Sequence, residues 1–271
     1  MNRRIIAAIM EKDLMEVSKN RIAVIGAIIL AVIFAVALPI LITQMAAITI
    51  DSPDQPPFEE VEEIIPPQLL ELMEQLDPAE LPIVLLLGYL FAPLFLVLPL
   101  MLSSIIAAEA FVGEKERKTL EPLIYTPATD LELFAGKVLA SAVPATLYTW
   151  ANFAIYAVVV NVAGWPVMGR IWFPTDTWWV LMLWVVPAVA TLGVSATVLI
   201  SARVNTFMEA YQASGALVLI ILALLMGQIF GLIFLSPAVL VVVGFLFFAL
   251  DAVLIWFGVR IFARSELIAR I

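Results

Sequence analysis

Few residues in this chain have the types and spacing for chemistry, and the nearest approach to a chemical motif is Gly136-Lys137. A phosphate-binding loop ends in Gly-Lys-Ser/Thr and carries another Gly five residues ahead of that final Gly. Here Leu131 holds the earlier position and Val138 follows the lysine, so the loop cannot form. Any ATP the protein uses is bound on another polypeptide. Histidine and cysteine are both absent. Their absence removes Ser-His triads, thiolate nucleophiles, the common zinc and haem ligand sets and the usual proton shuttle of neutral pH. The expectation is a chain with no catalytic residue, no metal and no cofactor of its own.

What remains is a handful of polar groups inside apolar runs. Asp251 lies nine residues before Arg260, which is about 14 Å along a helix and near the middle of a hydrocarbon core about 30 Å thick. An ionised carboxylate is costly at that depth, so Asp251 reads either as a pathway or ion site or as a neutral acid packed against another helix. Asn152, with Thr191, Ser195 and Thr197, has the same two readings, substrate ligand or interhelical hydrogen bond. Glu109 closes an apolar run and reads as a carboxylate at the headgroup level or as a gate.

The elements that must position these groups follow from composition. The chain has 271 residues, 63% of them hydrophobic and 14% charged, and its mean hydropathy is +1.08. Its solvent is therefore the bilayer. The formal net charge of −9 is local: residues 44–82 hold ten Asp/Glu and no Lys/Arg, and the rest of the chain sums to +1. No basic face exists for nucleic acid.

In chain order, residues 1–21 form an amphipathic interfacial helix with Ile6, Met10, Leu14 and Val17 on one stripe. Six spans follow at 22–43, 83–107, 138–163, 178–200, 211–230 and 238–259. Pro93 and Pro99 kink the second span and free backbone carbonyls. The acidic loop 44–82 carries one short amphipathic helix around Leu69, Leu72, Met73 and Leu76. Trp165, Trp172, Trp178 and Trp179 form an aromatic belt at the headgroups. Thirteen Lys/Arg fall on the side of the two termini and of loop 108–137, against Arg170 alone on the other, so both termini are cytoplasmic. The whole, 1–271, reads as one all-α polytopic membrane domain, N-in and C-in.

Loop 108–137 is the most charged stretch between two spans. Thr119 caps a short helix that Pro122 joins in its first turn, and Thr129 with Glu132 has the spacing of a capping box opening the next helix. A helix braced between two spans can push on both. The segment GEKERKTLEPLIYTP followed by LELFAGKVLA resembles the stretch after the second span in permease subunits of type 2 ATP-binding-cassette (ABC) transporters. Glu114, Glu116, Thr119, Leu120, Glu121, Pro127, Gly136 and Lys137 match that family's pattern, while Lys118 stands where many members carry Gly.

The resemblance implies a coupling helix between spans two and three, contacting an ATPase through Glu114, Glu116, Arg117, Thr119, Leu120, Glu121 and Pro127. It implies separate ATPase subunits that bind ATP and magnesium, a second permease subunit as homo- or heterodimer, and residence in the plasma membrane of a prokaryote. Cargo does not carry over, because such permeases export diverse compounds. Two other classes compete. An ion-coupled secondary carrier would use Asp251, but such carriers are usually built from internal repeats and none is visible. An intramembrane enzyme would need converging titratable groups, which one Asp without His or Cys does not supply.

Overall fold

The computed structural model describes residues 3–19, 21–50, 76–77, 79–117 and 129–261. Among these, six helices are long and apolar enough to cross a membrane. A helix α1 (Arg3–Lys19) precedes them. Helix α2 comprises Arg21–Val32, a π-helical turn Ile33–Ala37 and Leu38–Ile50. The others are α3 (Leu81–Glu116), α4 (Asp130–Met168), α5 (Asp176–Ser201), α6 (Phe207–Ile229) and α7 (Pro237–Ile261). No described residue is in a strand.

Helices α3 and α5 are buried along most of their length, whereas α2, α6 and α7 show most of theirs to the surroundings. The core is thus an α3–α5 pair, with α4 and α7 against it and α2 outside α4. Close approach is possible because Gly193 of α5 faces α3: a Cβ there would lie 2.2 Å from Ser103 Oγ and 2.8 Å from the Leu100 carbonyl oxygen. Side chains left outside, such as Ile28, Leu41, Val162, Leu219 and Leu246, are large and apolar. Lipid is the only solvent that suits them.

In hydrocarbon every backbone polar group needs an internal partner, and α3 meets that demand at its irregular end. Its π-helical turn Val84–Leu90 is followed by Pro93, which has no N–H to give the Tyr89 carbonyl. Gln228 Nε2 donates to that carbonyl at 2.9 Å. The neighbouring carbonyls of Leu87 and Gly88 accept from Tyr156 OH and Trp178 Nε1, both at 2.7 Å. Around these donors Phe95, Phe153, Tyr156, Phe173 and Trp178 stack edge and face with ring centroids 4.9–5.7 Å apart for each contact of Trp178. Asn161 closes the same end: its amide donates to the Ala157 and Phe173 carbonyls, and its oxygen accepts from the Trp172 and Phe173 N–H groups.

Several expectations are corrected. Trp178 is fully buried in the aromatic core and belongs to no headgroup belt, whereas Trp165 and Trp179 are half exposed. The helices extend past the spans drawn from hydropathy: α3 continues beyond 107 to Glu116, and α4 starts at Asp130, where the Thr129–Glu132 capping box was expected to open it. Much of 108–137 is therefore helix, because polar caps end a helix where hydropathy ends only its apolar part. The Thr129–Glu132 capping box is present in both directions, at 3.2 and 3.1 Å. α6 begins at Phe207 and is interrupted at Ala216–Leu217. The helix expected around 69–76 lies largely outside the described residues, as do the side chains of Ile6, Leu14 and Val17.

The α3–α5 contact predicts that Gly193→Ala lowers stability by about 1–3 kcal/mol, the range for overpacking a close contact. Gly26→Ala, where nothing lies within 4 Å, is neutral or stabilising. Thermal unfolding of the two variants in detergent checks this. Equal tolerance would remove the close approach.

Candidate functional site

At the end of the bundle that carries α1, the last turns of α3 and the first turns of α4 hold a buried group of charges. Lys137 is fully buried, Glu114 is 2% exposed and Asp13 is 1% exposed. Lys137 Nζ donates to the Ala110 carbonyl at 2.5 Å and to Glu114 Oε2 at 2.7 Å, and lies 3.9 Å from Asp13 Oδ2. Lys12 pairs with the other oxygen of Glu114 and lies 3.6 Å from Asp13 Oδ1. Among the described residues two cations and two anions from three helices meet here. The Phe111 ring lies under the ammonium, with its centroid 5.5 Å away.

Local sequence explains how a lysine comes to be buried here. Gly136 leaves room for α1: a Cβ at that position would meet Ile9 Cβ at 3.1 Å. α1 can therefore lie along the start of α4 and bring Lys12 and Asp13 to Lys137. The π-helical turn Glu109–Gly113 sets the other wall. Within it the Ala110 carbonyl accepts from Lys137, and the Glu109 carboxylate lies against Gly113, where a Cβ would be 3.2 Å from it. Glu109 pairs with Arg117 two turns on and is 2% exposed. The Gly-Lys pair that mimics a phosphate loop has a packing role: one residue admits α1 and the other neutralises the carboxylates.

Four consecutive residues thus bind four different places. Glu114 takes Lys12 and Lys137, Lys115 Nζ donates to the Val204 carbonyl at 2.9 Å, Glu116 accepts from the Phe207 N–H at 2.8 Å, and Arg117 returns to Glu109. Successive residues on a helix point about 100° apart, which is what spreads the contacts. Glu114, expected on the surface toward a partner, is instead internal, because its neighbours Lys12 and Lys137 come from other helices. Glu116 and Arg117 are exposed. Thr119, Leu120, Glu121 and Pro127 lie outside the described residues.

The polar groups of the spans are not drawn together. Asp251 is buried on α7 midway between Gly244, which faces Trp184, and Gly258, which faces Phe134 and Val198. Its carboxylate oxygens have no hydrogen-bond partner among the described residues. Asn152 donates to the Tyr148 carbonyl of its own helix at 2.8 Å. Thr191 and Ser195 likewise bond their own helix, and Thr197 reaches across, meeting the Ser214 hydroxyl of α6 at 2.9 Å. No group of three or more acids that could hold a metal occurs among the described residues. The sequence reading placed Lys12 on the polar side of the first helix and did not single out Asp13; the buried Lys137, a lysine just inside an apolar helix after a Gly, was the available signal that carboxylates converge here.

Two outcomes follow. Lys137→Met leaves two buried carboxylates short of a cation and costs about 3–5 kcal/mol, while adding Glu114→Gln recovers part of that loss. Asp251→Asn, which removes a buried carboxylate with no hydrogen-bond partner among the described residues, leaves stability unchanged or raised. Thermal unfolding of wild type, Lys137→Met, Glu114→Gln, the double variant and Asp251→Asn reads both, and additive losses for Lys137 and Glu114 would dissolve the cluster.

A family model described as ABC-2 family transporter protein matches residues 7–241. No curated protein and no solved structure matches the chain. Since the match runs from within α1 through α2–α6 and into α7, the chain belongs to the ABC-2 transporter family.

Proposed function

We propose that this multi-pass ABC permease works as an exporter subunit, forming a translocation pathway with a second permease subunit and driven by two separate ATPase subunits. Family membership supports the permease role and the partnership with an ATPase. The positive-inside count supports both termini and segment 118–128 on the cytoplasmic face of a prokaryotic plasma membrane. ATP and magnesium are then held by the ATPase, and this chain contributes no reacting group.

The observation that carries the coupling reading is the Lys137–Glu114 pair at 2.7 Å. Segment 118–128 leaves from the end of α3 and returns to the start of α4, and that pair ties its two feet together. A push on the segment reaches α3, α4 and, through Lys12 and Asp13, α1 as one body. Closure of the ATPases is then converted into a tilt of this body, which exchanges inward- and outward-facing arrangements of the pathway. Of the residues first assigned to the ATPase contact, Thr119, Leu120, Glu121 and Pro127 keep that role, with Glu116 and Arg117 flanking them; Glu114 holds the base.

The test is capture of the ATPase and ATP hydrolysis by the co-purified complex in lipid, comparing wild type with Glu121→Ala. A fall of about tenfold in capture or permease-stimulated hydrolysis, equivalent to about 1.4 kcal/mol, is expected. If no ATPase co-purifies with wild type and no hydrolysis appears, the reading fails.

A further inference from the structure

The end of α3 reaches a second helix that the coupling reading leaves unused. Lys115 and Glu116 point away from the Lys137 cluster, toward the turn between α5 and α6. That turn is itself well tied: Thr206 caps α6 by accepting from the Glu209 N–H, and the Glu209 carboxylate accepts from the Asn205 N–H. Beneath the polar contacts Ala108 and Val112 of α3 are buried against Ala210 of α6, with Val204 and Phe207 packed on them. Two hydrogen bonds to charged side chains and a small apolar cluster therefore fasten the first half of α6 to the end of α3.

The second half of α6 is fastened elsewhere. Gln228 donates to the Tyr89 carbonyl near the opposite end of α3, and Ile221 is buried in the main core. Between the halves Phe207–Gly215 and Val218–Ile229 the backbone tightens, with Ala216, Leu217, Leu219 and Ile220 N–H groups all bonding carbonyls three residues back. A short stretch of that pattern inside a long helix is where bending is absorbed. A Cβ at Gly215 would meet nothing within 4 Å, while Ser214 beside it bonds Thr197 of α5 and Leu217 packs on the main core, so the break is held at a point and open on the Gly215 side.

We infer that Lys115 and Glu116 are positioning residues that carry the displacement of segment 118–128 to the first half of α6, which swings on the break at Ala216–Leu217. This rests on the coupling reading above. The chain then has two outputs from one input: the Lys137 cluster moves α1 and α4, and the adjacent pair moves α6. The bond made by Glu116 is to a backbone N–H, so it needs an acceptor oxygen and not a charge. That separates it from a direct ionic contact with the ATPase.

The chain has no cysteine, so Met208→Cys and Phe230→Cys, both at exposed sites on either side of the break, can be spin-labelled cleanly. The label distance is measured in the complex with its co-purified ATPase, in lipid, without nucleotide and with ATP plus vanadate. We expect a shift on trapping that is lost in Lys115→Ala/Glu116→Ala and restored when residue 116 is instead Glu116→Gln in the Lys115 background. An unchanged distance in the wild-type complex that hydrolyses ATP would overturn the inference and leave the coupling reading standing. Loss in the Gln variant equal to that in the Ala variant would also overturn it, in favour of an ionic contact with the ATPase. A wild-type complex that neither forms nor hydrolyses ATP would take down the coupling reading and this inference together.

Discussion

The buried ammonium of Lys137 is the contact on which this end of the molecule turns. Removing a charge from water is tolerated only when opposite charge and hydrogen bonds meet it at close range. Lys137 has both, from Glu114 and from the Ala110 carbonyl, with Asp13 and Lys12 close by. The requirement is geometric. α3, α4 and α1 must all arrive at one point, and Gly136 must stay small for α1 to do so. A buried ion set of this kind adds little net stability over an apolar packing, but its partial loss is severe. Its value lies in specifying one arrangement of three helices at this end of the bundle.

The opposite end obeys the same rule with neutral groups. The π-helical turn and Pro93 leave carbonyls of Leu87, Gly88 and Tyr89 for other donors, and Tyr156, Trp178 and Gln228 supply them. Each donor comes from a different helix, α4, α5 and α6. The local irregularity of α3 is thus what joins three neighbours to it. Both ends of α3 act as hubs, one ionic and one built on backbone carbonyls, while its middle meets α5 through Gly193. A displacement applied at one end has a continuous path along this helix, which suits a permease driven from one side of the membrane.

Much of the fold was legible in the residues. Six apolar runs appear as six helices of spanning length, the Thr129–Glu132 spacing as a capping box, and the breakers near Gly231 and Pro237 as the turn between α6 and α7. Helix ends were less legible, because hydropathy measures where a helix is apolar and capping decides where it stops. Trp178 illustrates a second limit. Its neighbours Trp165 and Trp179 do face outward, but a tryptophan near the headgroups and one in the core read alike until the helix rotation is known.

By itself, the sequence determined the solvent, the number of spans, the absence of histidine and cysteine and the family resemblance that the 7–241 match bears out. These depend on composition and short-range spacing, which the chain carries in one dimension. Only the tertiary structure decided that Glu114 is internal and Glu116 exposed, that Lys12 and Asp13 belong with Lys137, and that Asn152 bonds its own helix. Lys12 and Glu114 are 102 positions apart. Bringing such residues together is a property of how whole helices rotate and pack, and neither hydropathy nor a charge count contains that rotation.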